Sequence, residues 1–168
     1  MVANMSEENP YAAPESDVTV DEPMNLASRG ARLGGSIVDG LIAIAIIWPT
    51  MYFLGYFGRA MEGATSIEDE IGLTLFGFVS FLVINGYLLA TRGQTVGKLA
   101  AGTRIVSVED NKILPFHKVI LLRYLPLWVV AYIPFIGPII GIVNPLFIFR
   151  EDRRCLHDHI AGTRVINA

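Results

Sequence analysis

The sequence predicts an all-α membrane protein: a small bundle of four transmembrane helices, with short cytoplasmic interfacial helices and two short strands. Three observations carry this expectation. Of 168 residues, 52% are hydrophobic and only 17% charged, whereas soluble domains carry about a quarter charged residues; mean hydropathy is +0.48. The apolar residues gather in blocks of bilayer-spanning length, and the basic residues crowd to one side of the path those blocks define.

Residues 1–25 are a different material. "MSEENPYAAPESDVTVDEP" is acidic, rich in Pro, Ser and Glu, and without apolar periodicity, which predicts a disordered tail. Its acidic start does not suit a secretory signal, so the first apolar run is expected to stay as an anchor. Residues 26–168 form the transmembrane domain. The first span is Ser36 to Phe57, "SIVDGLIAIAIIWPTMYFLGYF", whose aromatic end from Trp48 suits the far interface and whose Pro49 is a candidate kink. The second is Ile71 to Ala90. The third block, Val119 to Phe149, carries Arg123 as its one charge and is too long for a single crossing. "YIPFIGPIIG" breaks it with Pro134, Gly137 and Pro138. The result is a helical hairpin, Val119–Ile133 and Pro138–Phe149, with a re-entrant pair as the variant because both arms are short.

Four crossings from a cytoplasmic N-terminus put every Lys and Arg inside except Arg59, while the outer loop holds Glu62, Glu68, Asp69 and Glu70. The positive-inside bias therefore predicts a multi-pass protein of the bacterial inner membrane with both termini cytoplasmic.

On that cytoplasmic side the chain writes one phrase twice. "VGKLAAGTRIV" and "LHDHIAGTRVI" align on AGTR, with Lys98 opposite Asp158. Each copy has a short stretch of helical potential (96–101 and 156–161), a glycine stop, and a β-favouring tail. The expected structure is two interfacial helices and two paired strands closing the bundle from below.

Asp39 lies inside the first span. A carboxylate at the bilayer centre costs about 2.5–3.5 kcal/mol and less near an edge, so it is expected to face the bundle interior and find a partner. Arg32 precedes it by seven residues, two helical turns or about 10.5 Å on the same face. That is too far for a direct pair and suits a third group arriving past the small Gly34 and Gly35. The expectation is that Asp39 meets positively charged company from distant segments. Arg32, Asp39, Lys98, Arg123 and Asp158 would converge in a polar cluster at the cytoplasmic membrane edge, with Asn85 and Asn144 as neutral ligands along an ion pathway. A fully paired cluster would serve equally as a static clasp.

"RLGGSIVDGLI", "RGQTVGKLAAGTRIVSVED", Arg123 and "LHDHIAGTRVI" together resemble the RDD family of small bacterial membrane proteins, over roughly residues 26–168. The family takes its name from one arginine and two aspartates. By motif these fall on Arg32 (Arg29 being the alternative), Asp39 and Asp158. Leu99 stands where the family usually has a basic residue. The resemblance implies a membrane protein for which transport, including sodium/proton antiport, has been suggested.

The sequence argues against other classes. No Ser/His/Asp arrangement, Cys nucleophile or H-E-x-x-H occurs, and "GQTVGK" lacks P-loop spacing, so no enzyme is expected. A pI near 5.6 argues against nucleic acid. His157 and His159 point apart on a helix, and Cys155 is the sole cysteine, so neither a metal, a cofactor nor an intrachain disulfide is expected. The expected partners are the lipid bilayer, Na+ and H+, and a second copy of the chain in a homo-oligomer, to which Gly137 and Gly141 are spaced to contribute.

Overall fold

The computed structural model describes residues 25–131, 133 and 135–168. The acidic segment before Asn25 and Pro134 of the expected hairpin break lie outside these residues.

Helix α1 runs Arg29–Phe53, starting at the Ser28 cap whose hydroxyl accepts from the Ala31 amide at 3.1 Å. It thus begins seven residues before the apolar run, and Pro49 sits inside it without ending it. A left-handed turn at Gly55 leads into a short α2, Tyr56–Met61, which the sequence reading did not anticipate. Helix α3, Ile67–Arg92, opens on a capping box in which Ser66 and Asp69 satisfy each other's backbone. Glu68, Asp69 and Glu70 in its first turn complement the helix dipole. Asp69 also takes both arms of Arg59 from α2, at 2.7 and 3.1 Å, which ties the loop end shut.

With 25 and 26 residues, α1 and α3 are about 37 and 39 Å long, and both are apolar enough to cross a membrane. Their outward residues, among them Leu41, Ile44, Val79 and Val83, are exposed, as a lipid-facing surface would be. The third block folds as a hairpin at the expected place, with a different break. Helical turns α5 (Phe116–Lys118), a π-helical segment (Val119–Tyr124) and α6 (Leu125–Ala131) form the first arm. Phe135 has a left-handed backbone at φ +65°, and α7 (Ile136–Leu146) returns into a 3-10 turn, Phe147–Phe149. The second arm thus starts two residues before Pro138, which a first helical turn accommodates. Each arm falls short of the roughly 30 Å hydrocarbon core. Among the described residues only α1 and α3 have spanning length.

At the end where α1 begins and α3 stops, the duplicated phrase becomes a duplicated structure. The first copy is α4 (Val96–Ala100), Gly102 at φ +62° and β1 (Thr103–Ser107). The second is α8 (Leu156–Ile160), Gly162 at φ +60° and β2 (Thr163–Asn167). The strands pair antiparallel with Ile105 opposite Val165 at the centre, Thr103 opposite Asn167 and Ser107 opposite Thr163. Ile105 and Val165 are themselves equivalent positions of the repeat, so the register places a local pseudo-twofold axis between the copies. The likeness extends to side chains: Gln94 Nε2 donates to the Thr103 carbonyl and Arg154 Nε to the Thr163 carbonyl, both at 2.9 Å. Residues 25–27 add an edge to β2, with Ala27 N–H donating to Val165 and Asn167 N–H to Asn25. The core beneath comprises Ala27, Leu89, Ile105, Val119, Ile120 and Val165.

Helices α1 and α4 cross backbone to backbone. A Cβ on Gly97 would overlap the Gly35 carbonyl oxygen and come within 2.7 Å of the Asp39 carboxyl carbon. Gly34, the other small residue expected to admit a helix, has nothing near it. Gly97→Ala is therefore expected to cost about 1–3 kcal/mol or more by overpacking. Gly34→Ala should be neutral or stabilising by about 0.5–1 kcal/mol. Thermal midpoints in detergent measure both.

Candidate functional site

The two repeats present two short helices, and the first amides of any helix need acceptors from outside it. In α4 each of the first three has one. Val96 N–H donates to Asn85 Oδ1 at 2.9 Å, Gly97 N–H to Asp39 Oδ1 at 2.7 Å, and Lys98 N–H to Thr95 Oγ1 at 3.2 Å. The Thr95 hydroxyl in turn donates to Asp39 Oδ2 at 2.6 Å. In α8 the third helical position is Asp158 rather than Lys98, and this carboxylate accepts from the Cys155 amide of its own helix at 2.9 Å. Asn144 Oδ1 accepts from His157 N–H at 3.2 Å. The acid that α8 carries itself is, for α4, contributed by α1.

Asp158 is fully buried and its two oxygens are filled. Oδ2 accepts from Arg32 at 2.5 Å and from Cys155 N–H. Oδ1 accepts from Arg123 and from the Thr163 hydroxyl, the latter at 3.1 Å. Arg123, 2% exposed, reaches it from the π-helical segment and also donates to Thr163 Oγ1. Arg32 comes from α1 and donates to the Arg153 carbonyl and the Cys155 sulfur as well. Arg29, the alternative arginine, bonds the Ile148 and Phe149 carbonyls at the end of the last arm instead.

The expected cluster therefore divides in two. Arg32, Arg123 and Asp158 converge as a triad. Asp39 does not meet a cation: its partners are a hydroxyl and a backbone amide, because its level on α1 is the level of the α4 N-terminus. Among the described residues it makes no ion pair. Lys98 lines a cavity with Arg32, Asp39, Thr95 and Arg123. Asn85 and Asn144, expected along an ion pathway, have their oxygens engaged as helix caps. Thr95, Gly97, Cys155 and Thr163 were not singled out as site residues, although aligning the repeats sets Thr95 opposite Cys155 and Thr103 opposite Thr163.

Burial would raise the Asp158 carboxyl, but Arg123 first, then His157 and Arg32, hold it well below the usual carboxylate range. Burial, with Arg123 adding to it, lowers His157 to about 3 against the pull of Asp158. Its Nδ1 lies 2.8 Å from Asn144 Oδ1. That oxygen already accepts a backbone N–H, so neutral His157 carries its proton on Nδ1. Burial lowers Lys98 to about 8, with Arg123 reinforcing and Asp39 and Asp158 opposing. Cys155, His157 and Asp158 bring ligand-type atoms within 4.8 Å of one another. Burial pushes the Cys155 thiol up, and two guanidinium groups already occupy the carboxylate, so a divalent cation would have to displace both.

These shifts give a pH dependence. A neutral folded His157 means that the unfolded chain takes up the proton more readily between about 6.5 and 3. Its contribution to stability is complete above pH 6.5 and lost on acidification, by up to about 1.4 kcal/mol per pH unit. Asp158, whose folded carboxyl is depressed, adds a further loss below its ordinary 3.8. Thermal midpoints recorded from about pH 7 to about pH 4.5 should fall more steeply for the wild type than for His157→Gln.

The comparisons with known proteins identify the family. The RDD family model matches residues 26–162. A protein of Haemophilus influenzae, described as uncharacterized, is 30% identical over 140 residues, covering 83% of this chain and 77% of that one. No solved structure matches. The extent of the family match, most of the chain, makes this chain a member of the RDD family of membrane proteins.

Proposed function

We propose that the protein is a non-catalytic subunit of the bacterial inner membrane, in which the Arg32–Asp158–Arg123 triad is a clasp rather than an ion site. The carrying observation is that both Asp158 oxygens are filled by four donors. A carboxylate offers about four acceptor positions, so a transported cation would find none open without breaking a buried pair. The clasp fixes α1, the last hairpin and the C-terminal repeat as one cytoplasmic platform on which a partner or a second copy assembles. The distribution of Lys and Arg supports four crossings with both termini cytoplasmic.

One observation favours a second reading, cation/proton exchange. Among the described residues Asp39 accepts two hydrogen bonds, and it lines two cavities, with Lys98 on one of them. If any acid here exchanges Na+ for H+, it is Asp39.

Purified protein in proteoliposomes carrying a pH-sensitive dye separates the two. The clasp reading predicts no Na+-driven proton flux above protein-free vesicles. Flux abolished by Asp39→Asn at unchanged protein level would replace it with the exchange reading.

A further inference from the structure

A large cavity beside the triad is not explained by the clasp. It opens between α1, α6 and α7, has a volume of about 830 Å³, and has two kinds of wall. Leu33, Leu127, Ile142 and Leu146 make an apolar wall, and Arg29, Arg32, Lys98 and Arg123 bring cations into it. Against those four cations stand Asp39 in the wall and Asp158 behind it.

The cations differ in how they are used. Arg32 and Arg123 are spent on Asp158, and Arg29 on two carbonyl oxygens. Lys98 is half-buried, and among the described residues its ammonium group makes neither a hydrogen bond nor an ion pair. A part-buried cation without an acceptor loses hydration with nothing in exchange. The titratable and charged groups acting on it or lining the same cavity include Arg32 and Asp39 on α1, Arg123 on the π-helical segment, and Asp158 and the neutral His157 on α8. The cavity mouth is apolar: Leu33 is 57% and Ile142 66% exposed.

We propose that this cavity is a binding site for an anionic phospholipid, with its phosphate against Lys98 and an acyl chain along Leu33, Ile142 and Leu146. The net charge calls for an anion, and the apolar wall calls for a hydrocarbon tail attached to it. A free phosphate would leave that wall against water, and an apolar helix from a second copy would leave Lys98 without its acceptor. The site needs only that the chain lies in a membrane, so it stands whether the triad is a clasp or not. Phosphate beside Lys98 also stabilises its protonated form, which burial alone disfavours.

Native mass spectrometry of the full chain in detergent tests this, with phosphatidylglycerol and phosphatidylcholine as the probes. One phosphatidylglycerol per chain is expected in preference to phosphatidylcholine, with retention falling as pH rises through about 8. Lys98→Gln should weaken it about fivefold, the contribution of one lysine near an anionic lipid, and Lys98→Arg should restore it. Ile142→Trp, which fills the acyl slot without altering charge, should weaken it as well, and decides the matter if Lys98→Gln does not fold. Lys118→Gln, on an exposed residue, should have no effect. Equal retention of the two lipids, retention unchanged by Lys98→Gln and Ile142→Trp, displacement by inorganic phosphate alone, or a lipid-free dimer closing the cavity would each overturn the proposal.

Discussion

A single carboxylate, Asp158, holds three distant stretches of chain together: α1 through Arg32, the last hairpin through Arg123, and its own repeat through the Cys155 amide and Thr163. Removing both partners of such a pair can be nearly neutral, whereas removing one leaves an uncompensated buried charge costing about 3–5 kcal/mol. The arrangement is therefore all-or-none. It positions the C-terminal repeat against α1, and through the strand pair it also positions the N-terminal one.

The seven-residue spacing of Arg32 and Asp39 follows from this. The two side chains do not serve each other; each holds one copy of the repeat. Arg32 takes the second copy through Asp158, and Asp39 takes the first through Thr95 and the Gly97 amide. Two turns of helix separate them because α4 packs directly on α1 at the level of Asp39, whereas α8 is reached from α1 by the long Arg32 side chain. Gly35 and Gly97 are where the docking is closest. The motif "GQTVGK" reads the same way: Gly93 ends α3 in a left-handed turn at φ +64°, Gln94 holds the Thr103 carbonyl, Thr95 caps, Gly97 admits α1, and Lys98 is left facing the cavity.

Much of this was legible in the sequence. Hydropathy marked α1 and α3, and the AGTR alignment marked both helix–strand units with their glycine stops. The hairpin was expected in the right block, although Gly137 and Pro138, read as its break, lie inside α7. Composition also placed Asn25 in the tail, where β2 in fact pairs with it. The partner of Asp39 was not legible, because backbone amide donors leave no trace in residue type: any N–H donates. An acid in a membrane helix suggested a cation, and a helix N-terminus satisfied it instead. The caps made by Asn85 and Asn144 were hidden for the same reason. Whether the last hairpin crosses the bilayer was not legible either, since arms of that length fit both topologies.

The central claim is that Arg32 works with Asp158 and Asp39 works separately, on the other repeat. Double-mutant cycles on thermal or denaturant unfolding in detergent test it directly, pairing Arg32→Gln with Asp158→Asn and Arg32→Gln with Asp39→Asn. The account predicts a coupling of about 1–3 kcal/mol in the first cycle and additivity within about 0.5 kcal/mol in the second. Additive effects for Arg32 and Asp158, with strong coupling between Arg32 and Asp39, would contradict it.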